Sequence, residues 1–134
     1  MPPTIPPPRE SGFTTTTPVP LYWAVYGESG APRLLVLHGG PGAHHDYLLP
    51  QMLHLAAEHE LVFYDQRGGG RSKYDEDREP ITWRGQVDDL ARVVAELGLD
   101  AGGDGPSIVG YSWGALLAML YAVDAAGGAP DGRV

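Results

Sequence analysis

Short apolar runs that stop abruptly at glycine or proline set the strongest limit on what this chain can fold into. Leu34–Leu37 lies between Pro32 and the glycines that follow His38, Ser107–Val109 lies between Pro106 and Gly110, and Leu61–Tyr64 is another short apolar run, set between Glu60 and Asp65. Such boundaries suit strands covered on both faces. Leu21–Tyr26 adds another strand, with Gly27–Gly30 as the turn after it. Between the strands, Trp83, Val87, Leu90, Ala91, Val94 and Leu97 recur at helical spacing, opened by Thr82 and closed by Gly98. Trp113, Leu116, Leu117, Leu120 and Tyr121 mark a second helix. A third is expected over Tyr47–Ala57, capped by Asp46, with Pro50 tolerated near its first turn. Alternating strand and helix imply right-handed crossovers and an α/β fold, a parallel-type sheet with helices on both faces. Ligands of such sheets bind beyond the carboxyl ends of the strands, so the strand–helix junctions are where chemistry belongs.

Composition narrows the class. The 134 residues fit one domain, at about 100–200 residues per domain. Seventeen acidic against nine basic residues give a net charge of -8, which argues against nucleic acid as a partner. The absence of cysteine excludes a disulfide framework, a thiol nucleophile and a sulfur-based zinc site. No apolar run approaches the roughly 18 residues of a membrane span, and the N-terminus lacks a basic-then-apolar leader. A soluble cytoplasmic domain is expected, without membrane contact. Seven of the thirteen prolines fall in residues 1–20. That segment reads as a Pro-rich flexible tail, with residues 21–134 as the folded part.

The sharpest chemical signal is Gly110-Tyr111-Ser112-Trp113-Gly114, placed between the strand Ser107–Val109 and the helix that begins at Trp113. A sharp strand-to-helix turn would hold Ser112 in a strained backbone conformation with its hydroxyl exposed, while the two glycines let backbones pass close by. A serine there also sits at a helix N-terminus, which favours developing negative charge. Outside this context the same residues would be an ordinary helix cap. The second signal is His38-Gly39-Gly40-Pro41-Gly42, directly after Leu34–Leu37. Acyl transfer needs two N–H donors for the oxyanion. Trp113, next after the serine, offers one, and Gly40 can turn its N–H inward because it carries no Cβ. Pro41 stiffens the loop. His38 precedes the loop, and a structural role suits it better than that of a general base.

Rival readings of these motifs are weaker. Gly40-Pro41-Gly42 with Asp65 some twenty residues on resembles a dinucleotide fingerprint, but the third glycine position is His45. No Gly-Lys-Ser/Thr supports a phosphate loop. Asp65-Gln66-Arg67-Gly68-Gly69-Gly70-Arg71-Ser72 permits a tight reversal, with Arg67 and Arg71 as fixed donors. As an RGG-type nucleic-acid contact it is a single short copy in an acidic chain. Asp65 ends the wrong strand for a triad acid, so the segment reads as a structural turn. His54 and His59 miss the i, i+4 spacing of a helical zinc pair. They and His44 and His45 read as solvated side chains, whereas Trp23, Trp83 and the tyrosines read as core.

Together the three junctions resemble the α/β-hydrolase superfamily and, within it, the proline iminopeptidase family of serine peptidases. The resemblance runs from about Leu21 onward, with Tyr111 where that family has glycine. It implies release of an N-terminal residue, commonly proline, from a small peptide or amide through an acyl-enzyme, with no metal or organic cofactor. Ser112 is then the nucleophile and Gly40 and Trp113 the oxyanion donors. His38, Gly39, Pro41, Gly42, Asp65 and Arg67 support the loop. The family places its triad Asp and His, its cap and further strands beyond the matched part, so the chain resembles the N-terminal portion of such an enzyme and is expected to be inactive alone. The strand Ser107–Val109 would then be a sheet edge, and self-association or a complementing C-terminal half is expected. Two alternatives are a non-catalytic fragment and an α/β-hydrolase acting on another ester or amide. An epoxide hydrolase fits less well, since its nucleophile is an aspartate.

Overall fold

A computed structural model describes residues 5–40, 43–72, 81–100 and 106–126. Its five strands are β1 (Glu10–Phe13), β2 (Tyr22–Tyr26), β3 (Arg33–Leu37), β4 (Glu60–Tyr64) and β5 (Ser107–Gly110), in the spatial order β1-β2-β4-β3-β5. The sheet is mixed. β3, β4 and β5 run parallel, whereas β1 and β2 are antiparallel additions on the β4 side. Side chains alternate across it. Leu35, Leu37, Val62 and Tyr64 face one core, while Val36, Leu61 and Phe63 face the other. Both faces are covered, which is why these runs are apolar without a polar alternate.

The helix α2 (Trp83–Glu96) packs on the first face through Val87, Leu90, Val93 and Val94, all buried. Full burial of such side chains contributes about 1.5–3 kcal/mol each. Thr82 Oγ1 accepts the Gly85 N–H at 3.0 Å. At the other end Gly98 takes φ 66°, with its N–H on Ala95 O at 3.2 Å and that of Leu99 on Val94 O at 2.9 Å, a Schellman stop. The helix α3 (Trp113–Ala126) packs on the same face through Leu117. It is apolar on nearly every side, and Leu116, Met119 and Val123 remain 45%, 59% and 50% exposed. Among the described residues, β5 has no strand on its outer side.

Three expectations change. Residues 1–20 are not all tail, because β1 pairs with β2 and Thr15 and Thr16 donate to the Glu96 carboxylate. The strand is held by main-chain bonds and by Gly12 beneath the Trp23 ring, so it lacks the apolar alternation that would reveal it. The helix over Tyr47–Ala57 is broken into a 3-10 turn (His45–Leu48), α1 (Leu49–Met52) and a second 3-10 turn (Leu53–Ala57). Its cap is His44, whose Nδ1 accepts the Asp46 N–H at 3.2 Å, rather than Asp46. Trp83 is exposed, with the Arg84 guanidinium 4.9 Å from its ring. No helix among the described residues is long and apolar enough to cross a membrane.

Candidate active site

The parallel register brings the ends of three strands to one side of the sheet. Leu37 pairs with Gly110, and Val36 with Phe63, so the segments beginning at His38, Asp65 and Tyr111 emerge together. Ser112 is exposed and takes φ 55°, alone among described non-glycine residues in having positive φ. That conformation costs about 1–2 kcal/mol in an L-residue and persists only where the surroundings impose it. They do so here. A Cβ on Gly110 would sit 2.5 Å from the carbonyl of Gly114, and one on Gly114 would collide with Leu37 O and lie 2.7 Å from His38 O. The start of α3 is thus pressed against the end of β3, and Ser112 takes the bend between them. Trp113 is the first residue of α3, so its N–H belongs to the helix's unpaired first turn.

The loop after β3 lies alongside. Gly39 is buried, and a Cβ there would be 3.3 Å from Tyr111 Cδ1. Gly40 is exposed with φ 130°, a region that favours glycine. His38 is fully buried and fixes this loop. The Gln66 N–H donates to its Nε2 at 2.9 Å, which leaves the proton on Nδ1 to donate to Gly39 O at 2.5 Å. Burial pushes its pKa below the ordinary histidine value, so the ring stays neutral. With both nitrogens engaged, His38 is a positioning residue with no lone pair left for a proton. Gln66 binds the three junctions into one unit, because its Nε2 donates to His38 O at 2.8 Å and its Oε1 accepts the Trp113 indole N–H at 2.9 Å. Pro41 and Gly42 lie outside the described residues.

Asp65 is a turn organiser. Its Oδ1 accepts from the His45 N–H at 2.9 Å and from His45 Nδ1 at 2.6 Å, and its Oδ2 accepts from the Arg71 N–H at 3.1 Å. Burial raises the pKa of this carboxyl, but those donors outweigh it and hold the net value below the ordinary one. Both oxygens of this buried carboxylate are engaged within the turn, which counts against Asp65 as a ribose ligand and so against the dinucleotide reading of Gly40-Pro41-Gly42. Ser72 closes the same turn. Its hydroxyl donates to Asp65 O at 2.6 Å and accepts the Tyr22 N–H at 2.8 Å. Arg67 reaches away to α2, with Nε and Nη2 at 3.0 and 2.8 Å from the two oxygens of Asp89.

Sequence reading missed Gln66, His45 and Asp89. His45 is buried, not solvated, and Tyr111 and Tyr47 lie at the surface of the site rather than in the core. Gln66 stands inside a motif already singled out, so its position carried a signal. The partners of Asp65 and Arg67, some twenty residues away, carried none.

The model of the alpha/beta hydrolase fold family matches residues 32–132. The chain belongs to the α/β-hydrolase fold family. A proline iminopeptidase of Saccharolobus solfataricus is 34% identical over 115 residues, which cover 85% of this chain and 36% of that protein. The crystal structure of a proline iminopeptidase-related protein from Thermus thermophilus superposes with a TM-score of 0.74 at 28% identity, over 84% of this chain and 39% of that one. Proline iminopeptidase from Mycobacterium smegmatis gives a TM-score of 0.69 at 28% identity, over 92% of this chain and 41% of that one. The chain spans about a third of the length of the curated relatives it matches. Within the α/β-hydrolase fold this is the part that carries β1 to β5, the Gly39–Gly40 loop and the serine turn.

Proposed function

We propose that the chain carries the nucleophile-bearing part of a proline-iminopeptidase-like serine hydrolase. The observation that supports this most directly is the left-handed Ser112 on a strand-to-helix turn, beside a glycine loop held by His38. In this reading Ser112 Oγ attacks the carbonyl carbon of the N-terminal residue. The C–N bond to the rest of the peptide then breaks, and water hydrolyses the resulting ester. The N–H groups of Gly40 and Trp113 stabilise the oxyanion, helped by the N-terminus of α3. No metal or organic cofactor takes part, and the acidic, cysteine-free chain works in the cytoplasm.

A serine hydroxyl needs a base to become a useful nucleophile. His38 and Asp65 are committed elsewhere, so the triad acid and histidine come from polypeptide equivalent to the remaining two thirds of the relatives. The isolated 134 residues are accordingly inactive or nearly so. Hydrolysis of a prolyl anilide and of a simple acetate ester, with and without that complementing polypeptide, tests the assignment. The expected result is anilide turnover only in the complemented protein, lowered by on the order of a thousandfold or more in Ser112→Ala. Equal anilide rates for Ser112→Ala and the parent in the complemented protein would overturn it.

A further inference from the structure

The oxyanion loop is gripped at a second point, by a side chain to which no role has yet been given. The Gly39 N–H donates to the Tyr47 hydroxyl at 2.6 Å, while the Gly39 carbonyl accepts from His38 Nδ1. One residue held at both of its main-chain polar groups has its φ and ψ both fixed. The peptide that follows is planar and trans, so the Gly40 N–H points opposite to the Gly39 carbonyl. The direction of the oxyanion donor is therefore set by two side chains, Tyr47 on one side of Gly39 and His38 on the other.

Tyr47 is itself braced. It is 38% exposed and comes from the 3-10 turn that precedes α1, a short piece with little packing of its own. Its ring meets Tyr111 edge-on with centroids 5.7 Å apart, and His44 at 6.3 Å. Tyr111 is anchored in turn, because its N–H donates to Leu37 O at 3.1 Å and its carbonyl accepts the Gly114 N–H at 2.8 Å. The residue beside the serine thus touches the residue that aims the oxyanion donor. A Cβ on Gly39 would lie 3.0 Å from Tyr47 Oη and 3.3 Å from Tyr111 Cδ1, so glycine is what lets both rings close on the loop.

We propose that Tyr47 is a positioning residue that orients the Gly40 N–H through Gly39, and that Tyr111 braces it, so that the serine turn and the oxyanion loop move as one body. The functional meaning rests on the serine-hydrolase reading; the geometry does not. The test is amide NMR on the 15N-labelled chain with Tyr47→Phe, Tyr111→Phe and Tyr111→Ala. Loss of one hydrogen bond of ordinary strength corresponds to about a fivefold to tenfold change in local opening. In Tyr47→Phe the Gly39 amide should exchange faster by about that factor, and the Gly40 heteronuclear NOE should fall. Amides of α2, such as Val93, should keep their parent rates. Tyr111→Phe should leave both glycines unchanged, because only its ring is used, and Tyr111→Ala should give intermediate changes. Parent behaviour of either Gly39 or Gly40 in Tyr47→Phe would overturn the proposal. A Ser112 that stays unreactive in the complemented protein, alongside the expected glycine changes, would instead count against the hydrolase reading alone.

Discussion

Replacing Gly114 by alanine tests whether the serine turn is forced by close packing. A methyl group there collides with Leu37 O and comes within 2.7 Å of His38 O and 2.8 Å of Leu37 C, all main-chain atoms at the end of β3. A flexible side chain could move aside, but a strand flanked by β4 and β5 cannot. Relief requires α3 to lift from β3, and with it go the burial of Leu117 and the Trp113–Gln66 bond. Overpacking commonly costs about 1–3 kcal/mol. Adding a lost hydrogen bond of about 1 kcal/mol gives a total of roughly 2–4 kcal/mol. Gly98→Ala supplies the contrast, since nothing lies within 4 Å of its Cβ position and only φ 66° opposes the change. It should cost about 1–2 kcal/mol. With a urea m-value of about 1.5 kcal/mol/M, Gly114→Ala lowers the midpoint by about 2 M and Gly98→Ala by about 1 M. Denaturation followed by tryptophan fluorescence measures both. A Gly114→Ala midpoint within about 0.3 M of the parent, or above that of Gly98→Ala, would refute the packing argument.

Other outcomes follow from the same contacts. Asp89→Ala strips a buried, bidentate partner from Arg67 and should destabilise by about 3–5 kcal/mol in urea, with Arg67→Met in the same chain recovering part of the loss. The pKa of Asp65 is lower folded than unfolded, so the unfolded chain takes up the proton first as pH falls. That stability is present above the unfolded value of about 3.9 and is lost as pH drops through the depressed one; Asp65→Asn should flatten this limb of the stability–pH curve. His38 shifts downward too, so a separate loss should begin below about pH 6.5, and its ring resonances should not titrate at neutral pH. Apolar exposure on α3, and an edge of β5 that pairs with no strand among the described residues, should drive concentration-dependent self-association, visible in sedimentation and weakened by Met119→Lys with Val123→Lys. A single monomeric species across concentrations in the parent would count against that reading of the surface.

What the sequence showed and hid follows from the range of each interaction. β2 to β5 and α2 were legible because their signals are local, namely short apolar runs ended by glycine or, for β4, by Asp65, together with the Thr82 cap and the Gly98 stop. The serine turn was legible for the same reason, since the glycines two residues either side of Ser112 serve that one bend. β1 was hidden because Glu10–Phe13 pairs through its main chain and buries little, in a segment whose prolines suggest a tail. The entry into the segment 45–57 was hidden because His45, which opens it, is held by Asp65, a partner twenty residues away. The same holds for the loop's supports. His38 could be recognised as a support from its place, but its bonds to Gln66, and the grip of Tyr47 on Gly39, depend on a register that only the folded sheet creates.

Mapping a fluorophosphonate adduct by peptide mass spectrometry on the complemented protein decides whether Ser112 is the nucleophile. A phosphonyl group on Ser112, lost in Ser112→Ala without transfer to another serine, is the result expected. An adduct on a different residue, with Ser112 unmodified and turnover abolished, would show that the hydroxyl on the strained turn is not the nucleophile.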